Sequence, residues 1–230
     1  MTDESLVLLT DPGVGAVAVA ETGEPMVDVG EVDELRVDAR AADPIGAFAY
    51  LRHSVVQRLL DAQETLPDGL RLLVVEGYRP TGKQRSIFDG YRDELRRIHP
   101  DWTEDRLYVE TSKFASPVEL APHTTGGAID LTLCTEAGEE LDMGTPIDAT
   151  PEASANACYT AARNIPEHAR DNRRTLVRAL AGTGLVNYRT EWWHWSFGDR
   201  YWAFVTGTGR ARYGPVRLLP SSTAARREVP

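Results

Sequence analysis

The stretch from Pro122 to Leu133, P-H-T-T-G-G-A-I-D-L-T-L, constrains this chain more than any other. From Ala128 to Leu133 apolar and polar residues alternate, which is the period of a strand. Ile129, Leu131 and Leu133 fall on one face, and Asp130 and Thr132 on the other. A strand that buries its apolar face holds Asp130 rigidly on the second. Gly126 and Gly127 let the preceding loop fold back tightly, which can bring His123 beside Asp130. A neutral imidazole next to a carboxylate suits a zinc ion. The same residues also fit a loop histidine near a strand aspartate with no metal, and this stretch alone leaves both readings open.

Composition narrows the class of chain. Its 230 residues can make one large domain or two small ones. Hydrophobic content of 42% and charged content of 26% are those of an ordinary globular protein. A net charge of −10 argues against nucleic acid as a partner, because phosphate binding wants a basic face. Cys134 and Cys158 form neither a zinc-motif spacing nor a disulfide framework, which fits a reducing compartment. The acidic amino terminus lacks the basic region of a signal peptide. No apolar run approaches the ~18 residues of a membrane span. A cytoplasmic protein with no membrane partner is expected.

Along the chain, Leu6–Leu9 and Val14–Val19 read as short strands between turns. Asp43-Pro44 reads as a helix start, and Phe48, Leu51, Val55 and Leu59 recur at helical spacing, so a helix is expected over 44–65. Leu72 to Val75 reads as a buried strand that ends in Glu76-Gly77-Tyr78-Arg79-Pro80. A charged residue at the exit of a buried strand is well placed for a cleft; alone, the segment also fits a turn with a solvated arginine. A helix is expected over 83–98, with Ile87, Tyr91, Leu95 and Ile98 on one stripe. Asp101 with Glu104 suggests a capping box for a further helix. The Ala-rich residues 151–163 are expected to be helical, as are 167–181, which end near Gly182 and Gly184. The aromatic run over 188–197 favours a strand, in which His194 fits simple packing as well as metal binding. With no repeat or linker in view, one domain is expected over 1–213, then a mobile tail over 214–230.

Three stretches, taken together and in this order, resemble the VanX-type D-alanyl-D-alanine dipeptidases and the wider family of zinc D,D-peptidases. The family carries a G-Y-R-P turn, here Gly77 to Pro80 after Glu76. It carries S-x-H-x-x-G-x-A-x-D, here A-P-H-T-T-G-G-A-I-D from Ala121 to Asp130. It carries E-W-W-H, here Glu191 to His194 unchanged. The likeness runs from about residue 35 to 205.

The resemblance implies a single α+β domain with a central, mostly antiparallel sheet flanked by helices and a zinc cleft, the D-Ala-D-Ala peptidase or Hedgehog-like fold. It implies one zinc per chain held by His123, Asp130 and His194, with a fourth position for water. By the same resemblance Glu191 is the general base and Arg79 stabilises the developing oxyanion. Asp148 matches a family carboxylate near the free ammonium of a dipeptide, although M-G-x-x-x-D also fits a plain turn. Glu76 is expected to orient Arg79 or a ligand histidine. Glu191 and His194 are three residues apart, so an ideal strand would point them to opposite faces, and a bulge or strong twist is expected to bring both to the metal.

Two departures bear on the substrate. The family serine two before the histidine is Ala121, and the tyrosine that dipeptidases carry after a V-D-A-R-like segment is missing, since Ala41 and Ala42 follow Arg40. Both remove hydroxyls from the expected pocket, which the aromatic strand Trp192–Trp195 is expected to close. Hydrolysis of D-alanyl-D-alanine or a similar small D-containing dipeptide is the leading expectation. A D,D- or L,D-carboxypeptidase or a biosynthetic amide hydrolase on the same site is the alternative. A non-catalytic zinc-binding module of the Hedgehog kind is disfavoured by the retention of Glu191 and Arg79.

Overall fold

The structure, a computed structural model, describes residues 6–217. Its strands are β1 (Ala18–Val19), β2 (Met26–Asp28), β3 (Arg36–Val37), β4 (Tyr50–Arg52), β5 (Leu70–Glu76), β6 (Ala128–Thr135), β7 (Val186–Asn187), β8 (His194–Ser196) and β9 (Arg210–Ala211). Its helices are α1 (Pro12–Ala16), α2 (His53–Glu64), α3 (Thr81–Ile98), α4 (Glu104–Thr111), α5 (Pro151–Ser154), α6 (Glu167–Gly182) and α7 (Arg200–Thr206).

The alternating stretch forms β6, as its pattern predicts, at the centre of a five-stranded sheet of order β3-β5-β6-β8-β7. Only the edge pair β3–β5 is parallel; β5–β6, β6–β8 and β7–β8 are antiparallel. Ile129, Leu131 and Leu133 join one apolar cluster with Leu72 and Val74 of β5, Val55 and Leu59 of α2, and Leu176 and Leu180 of α6. Those side chains are fully buried, and each such burial contributes roughly 1.5–3 kcal/mol. The second face of β6 is also covered, since Asp130 and Thr132 are buried. This is the expected α+β domain with helices against a mostly antiparallel sheet. Among the described residues, no helix is long and apolar enough to cross a membrane.

Several local expectations are corrected. The helix expected over 44–65 begins only at His53. Gly46 takes a left-handed φ of 66°, and the Asp43 carboxylate accepts from the Ile45 and Phe48 amides, so the chain turns instead of winding on. Residues 50–52 then pair with β2. Thr103, not Asp101, caps α4, accepting from the Arg106 amide. The α3 stripe is rotated: Gln84, Phe88 and Leu95 are its buried positions, whereas Ile98 is exposed. The Ala-rich segment is helical only over Pro151–Ser154, because Ala155 and Asn156 adopt positive φ. Of the strand expected over 14–19, residues 14–16 belong instead to α1, capped by Asp11 with Pro12 at the first position, and only Ala18–Val19 form a strand, β1. Of the expected tail, Val216 is tied to the Thr124 carbonyl and accepts from the Tyr78 hydroxyl at 2.8 Å; residues 218–230 lie outside the described residues.

Candidate active site

Strand register builds the site. Glu76 of β5 stands opposite Asp130 of β6, and Asp130 stands opposite His194 of β8. Three adjacent strands therefore place two carboxylates and an imidazole in one row. The β5–β6 ladder is irregular between Val74 and Glu76, and this bulge brings Glu76 opposite Asp130. His123 comes from the loop before β6, on a short 3-10 turn over Pro122–Thr125. Gly126 ends that turn at φ 70°, where an L side chain would be strained.

The His123 Nδ1 donates to the Gly77 carbonyl at 2.7 Å. A carbonyl can only accept, so this bond fixes the tautomer and leaves a lone pair on Nε2. That Nε2 lies 3.0 Å from His194 Nδ1 and 3.3 Å from Asp130 Oδ2, and His194 Nδ1 lies 3.0 Å from Asp130 Oδ1. All three residues are buried, and their ligand atoms fit within 4.8 Å of one another. Burial favours a raised Asp130 carboxyl, but the two imidazoles outweigh it and hold the group well below the usual carboxylate range. Burial also holds the His194 imidazole below its ordinary value, which favours the neutral form. His194 Nε2 is buried with no hydrogen-bond partner among the described residues. Convergent nitrogen and oxygen acceptors of this kind repel unless a proton or cation lies between them. The donor set, two imidazoles and a carboxylate, fits a zinc ion with an open position.

The expected aromatic strand forms only as β8, over His194–Ser196; Glu191 precedes it in a turn, and no strand bulge at Glu191 is needed. Tyr188 to Trp193 form a turn, in which the Glu191 amide donates to the Tyr188 carbonyl and the His194 amide donates to the Glu191 carbonyl. The turn lets both side chains reach the same point, with Glu191 Oε2 3.9 Å from His194 Nδ1. Burial first, then the charges of Asp130 and Asp148, push the Glu191 carboxyl well above the usual range. The Arg79 guanidinium pairs with Glu76, donates to Gln84 Oε1 at 2.9 Å and lies 3.8 Å from Asp130 Oδ2. Glu76 thus orients Arg79, the first of its two expected roles. Burial disfavours the Glu76 carboxylate, but Arg79 holds it low and ionised.

These groups line one cavity of about 390 Å³, at the small end of the ~300–1,000 Å³ of ligand pockets. Asp148 also lines it, at φ 63° on its rim. Asp148 is itself an exposed residue. Desolvation by the surrounding walls, then Asp130, push its carboxyl up to about 6. Of the aromatic run, only Trp193 lines the cavity; Trp192 and Trp195 are committed to the core, which corrects the expected aromatic lid. Ala121 and Ser116 also line it.

The structure adds residues that the sequence reading passes over. Gln84 clamps Arg79 and donates to the Ser116 carbonyl at 2.7 Å. Its signal is a polar residue at a buried helical position. Arg52 is buried and donates to the Thr125 and Glu24 carbonyls, holding the His123 turn against the amino-terminal segment. Lys83 lines the cavity from the first turn of α3. Nothing in local sequence pattern marks Arg52, since its partners lie far away in the chain.

A metal-ligand triad with an adjacent raised carboxylate and an arginine, all on one sheet of an α+β domain, is the architecture of a metallohydrolase. The sequence comparisons make the class specific. The chain matches the M15 peptidase family, D-ala-D-ala dipeptidase, over residues 40–206 and belongs to that family of metallopeptidases. It is 30% identical over 217 residues to a D-alanyl-D-alanine dipeptidase of Synechocystis sp., covering 82% of this chain and 88% of that protein. It is 30% identical over 137 residues to the D-alanyl-D-alanine dipeptidase of Enterococcus faecalis, covering 57% of this chain and 64% of that one. Among solved structures, the LdcB LD-carboxypeptidase aligns with a TM-score of 0.40 at 18% identity, over 84% of this chain and 78% of that one.

Proposed function

We propose that this chain is a zinc dipeptidase that hydrolyses D-alanyl-D-alanine or a similar small D-containing dipeptide. The observation that carries the reading is the convergence of His123 Nε2, Asp130 and His194 Nδ1 within 4.8 Å, beside Glu191 and Arg79 in one small cavity. One zinc per chain is held by those three residues. When bound, it supplies a Lewis acid that acidifies water and polarises a carbonyl.

The chain's own residues supply the rest. Glu191 takes a proton from the attacking water and delivers it to the leaving amine. Its raised affinity for a proton, and a carboxylate with no hydrogen bond among the described residues, suit both transfers. Arg79, held by Glu76 and Gln84, presents positive charge to the developing oxyanion. Asp148, on the rim, pairs with the free ammonium of the substrate. Residues 1–213 form the peptidase domain. The two free, buried cysteines support a cytoplasmic location.

The test is a substrate panel on zinc-loaded protein: D-alanyl-D-alanine, its N-acetyl form, and longer peptides ending in the same pair. Release of D-alanine from the free dipeptide, abolished by a chelator, is expected. Cleavage confined to the longer peptides would instead assign a carboxypeptidase.

A further inference from the structure

A dipeptide carries two charges, and the groups above account for only one of them. Asp148 meets the ammonium; a carboxylate remains. The cavity holds three cations besides its histidines, namely Arg40, Arg79 and Lys83. Arg79 is committed, with Glu76 on one arm and Gln84 on the other. Arg40 is spent on the exposed rim, where it pairs with both Asp38 and Glu140.

Lys83 is different. Its ammonium has three donors. One goes to Glu76 Oε1 at 2.9 Å and a second, long contact goes to the Ala41 carbonyl at 3.3 Å. The third has no partner among the described residues. Glu76 is shared by Arg79 and Lys83, so its single charge neutralises Lys83 only in part. The Lys83 side chain is 35% exposed, which leaves its head group open to a ligand. The same cavity has apolar lining from Ala41, Ile87, Phe114 and Ala121. Lys83 approaches from the side of α3 and Ala41, whereas Asp148 approaches from the loop after Gly144. The charges that act most on Asp148 are Asp130, Arg79, Glu76 and His123, and Lys83 is not among them.

We propose that Lys83 binds the terminal carboxylate of the substrate and makes the enzyme selective for peptides whose scissile bond precedes a free carboxyl-terminal residue. The inference rests on the dipeptidase reading. Lys83 is a specificity residue here and takes no part in the bond-breaking step.

The test compares D-alanyl-D-alanine with its carboxyl-terminal amide in wild type, Lys83→Met, Lys83→Gln and Lys83→Arg. The wild type is expected to prefer the free acid in kcat/KM by at least about 10-fold, the scale of one charge-assisted hydrogen bond. In Lys83→Met and Lys83→Gln that preference should collapse toward one, through a higher KM for the acid, with amide turnover nearly unchanged. Lys83→Arg should keep most of it. An unchanged acid-to-amide ratio in active Lys83→Met and Lys83→Gln would overturn the inference while leaving the dipeptidase reading intact. Equal losses on acid and amide would also overturn it, since Lys83 would then act only through Glu76 and Arg79. If wild type cleaves neither compound, the dipeptidase reading fails and this inference falls with it.

Discussion

Gly127 offers the sharpest test of how packing builds the site. A Cβ placed there would lie 2.6 Å from the Phe197 carbonyl oxygen, and 3.0 Å from both Thr125 Oγ1 and the Tyr213 ring. The nearest atom is backbone, so no side-chain rotation can relieve the contact. For Gly127→Ala, the end of β8 must retreat from 2.6 Å to beyond 3.0 Å. That same edge carries the Phe197 amide bond to the Gly127 carbonyl at 2.9 Å, and the pair Asp130–His194 lies only a few residues further along the ladder. Overpacking of this kind costs about 1–3 kcal/mol, which for a chain of this size lowers Tm by roughly 3–10 °C. Gly90→Ala is the matched control. Gly90 lies within α3, and an added Cβ there meets nothing within 4 Å. The same chemical change should stabilise by about 0.5–1 kcal/mol, because glycine in a helix costs entropy. Urea denaturation with and without zinc measures both effects. The zinc-dependent gain in stability should shrink in Gly127→Ala, since metal binds the folded state in proportion to its affinity. If Gly127→Ala matches wild type in both stability and zinc gain, the close approach of β8 is not what aligns His194 with Asp130.

Other expectations follow from the same geometry. His123→Ala should lose stoichiometric zinc by metal analysis; tight retention would remove His123 from the ligand set. Glu191→Gln should keep zinc yet lose at least ~100-fold in kcat, the usual scale for a general acid–base group. In the metal-free protein, the Glu191 carboxyl takes up its proton at higher pH when folded, so stability falls as pH rises between the unfolded and folded values. Glu191→Gln should lessen that decline in a pH series of melts, leaving the part that comes from the raised Asp148 carboxyl. Asp148 is anionic above about 6 and neutral below it. A bound cation offsets the Asp130 charge, so in the zinc-loaded enzyme KM for the free dipeptide should begin to climb at or below about pH 6, by roughly tenfold for each unit past the midpoint. Asp148→Asn should have a raised KM with no such climb, and a wild-type KM flat to pH 4.5 would exclude Asp148 as the ammonium partner.

Sequence pattern revealed the elements whose signal is local and dense. β6 alternates cleanly and lies in the centre of the sheet, and α6 is periodic between Pro166 and Gly184. The three motifs supplied the candidate ligands His123, Asp130 and His194, and the structure brings all of them to one cavity. What pattern could not reveal depends on competing or distant contacts. Phe48 and Leu51 keep helical spacing with Val55, but pairing with β2 and the left-handed Gly46 draw residues 46–52 out of the helix. Glu191 looks like a strand residue from its aromatic neighbours, yet backbone bonds between Tyr188 and His194 close a turn. Trp192 looks like a pocket wall and is instead a core residue whose indole donates to Thr145 Oγ1 at 2.9 Å.

The coupling between the arginine turn and the histidine turn is likewise invisible in sequence, and it explains why glycine stands at position 77. The Arg79 amide donates to the His123 carbonyl at 3.1 Å, and the His123 ring donates back to the Gly77 carbonyl at 2.7 Å. The two turns are thus tied reciprocally, so the Arg79 guanidinium and the His123 imidazole hold a fixed relation. Both turns rest on the segment before α2: the Gly77 amide donates to Phe48 and the Tyr78 amide to Tyr50. A Cβ on Gly77 would meet the Tyr50 carbonyl oxygen at 2.6 Å. Any larger residue there must push the arginine turn off Tyr50, and the His123 ring moves with it through its bond to the Gly77 carbonyl. The residues 46–52 that leave the expected helix are therefore the shelf on which the site is built, and a continuous helix over 44–65 would have left that shelf absent.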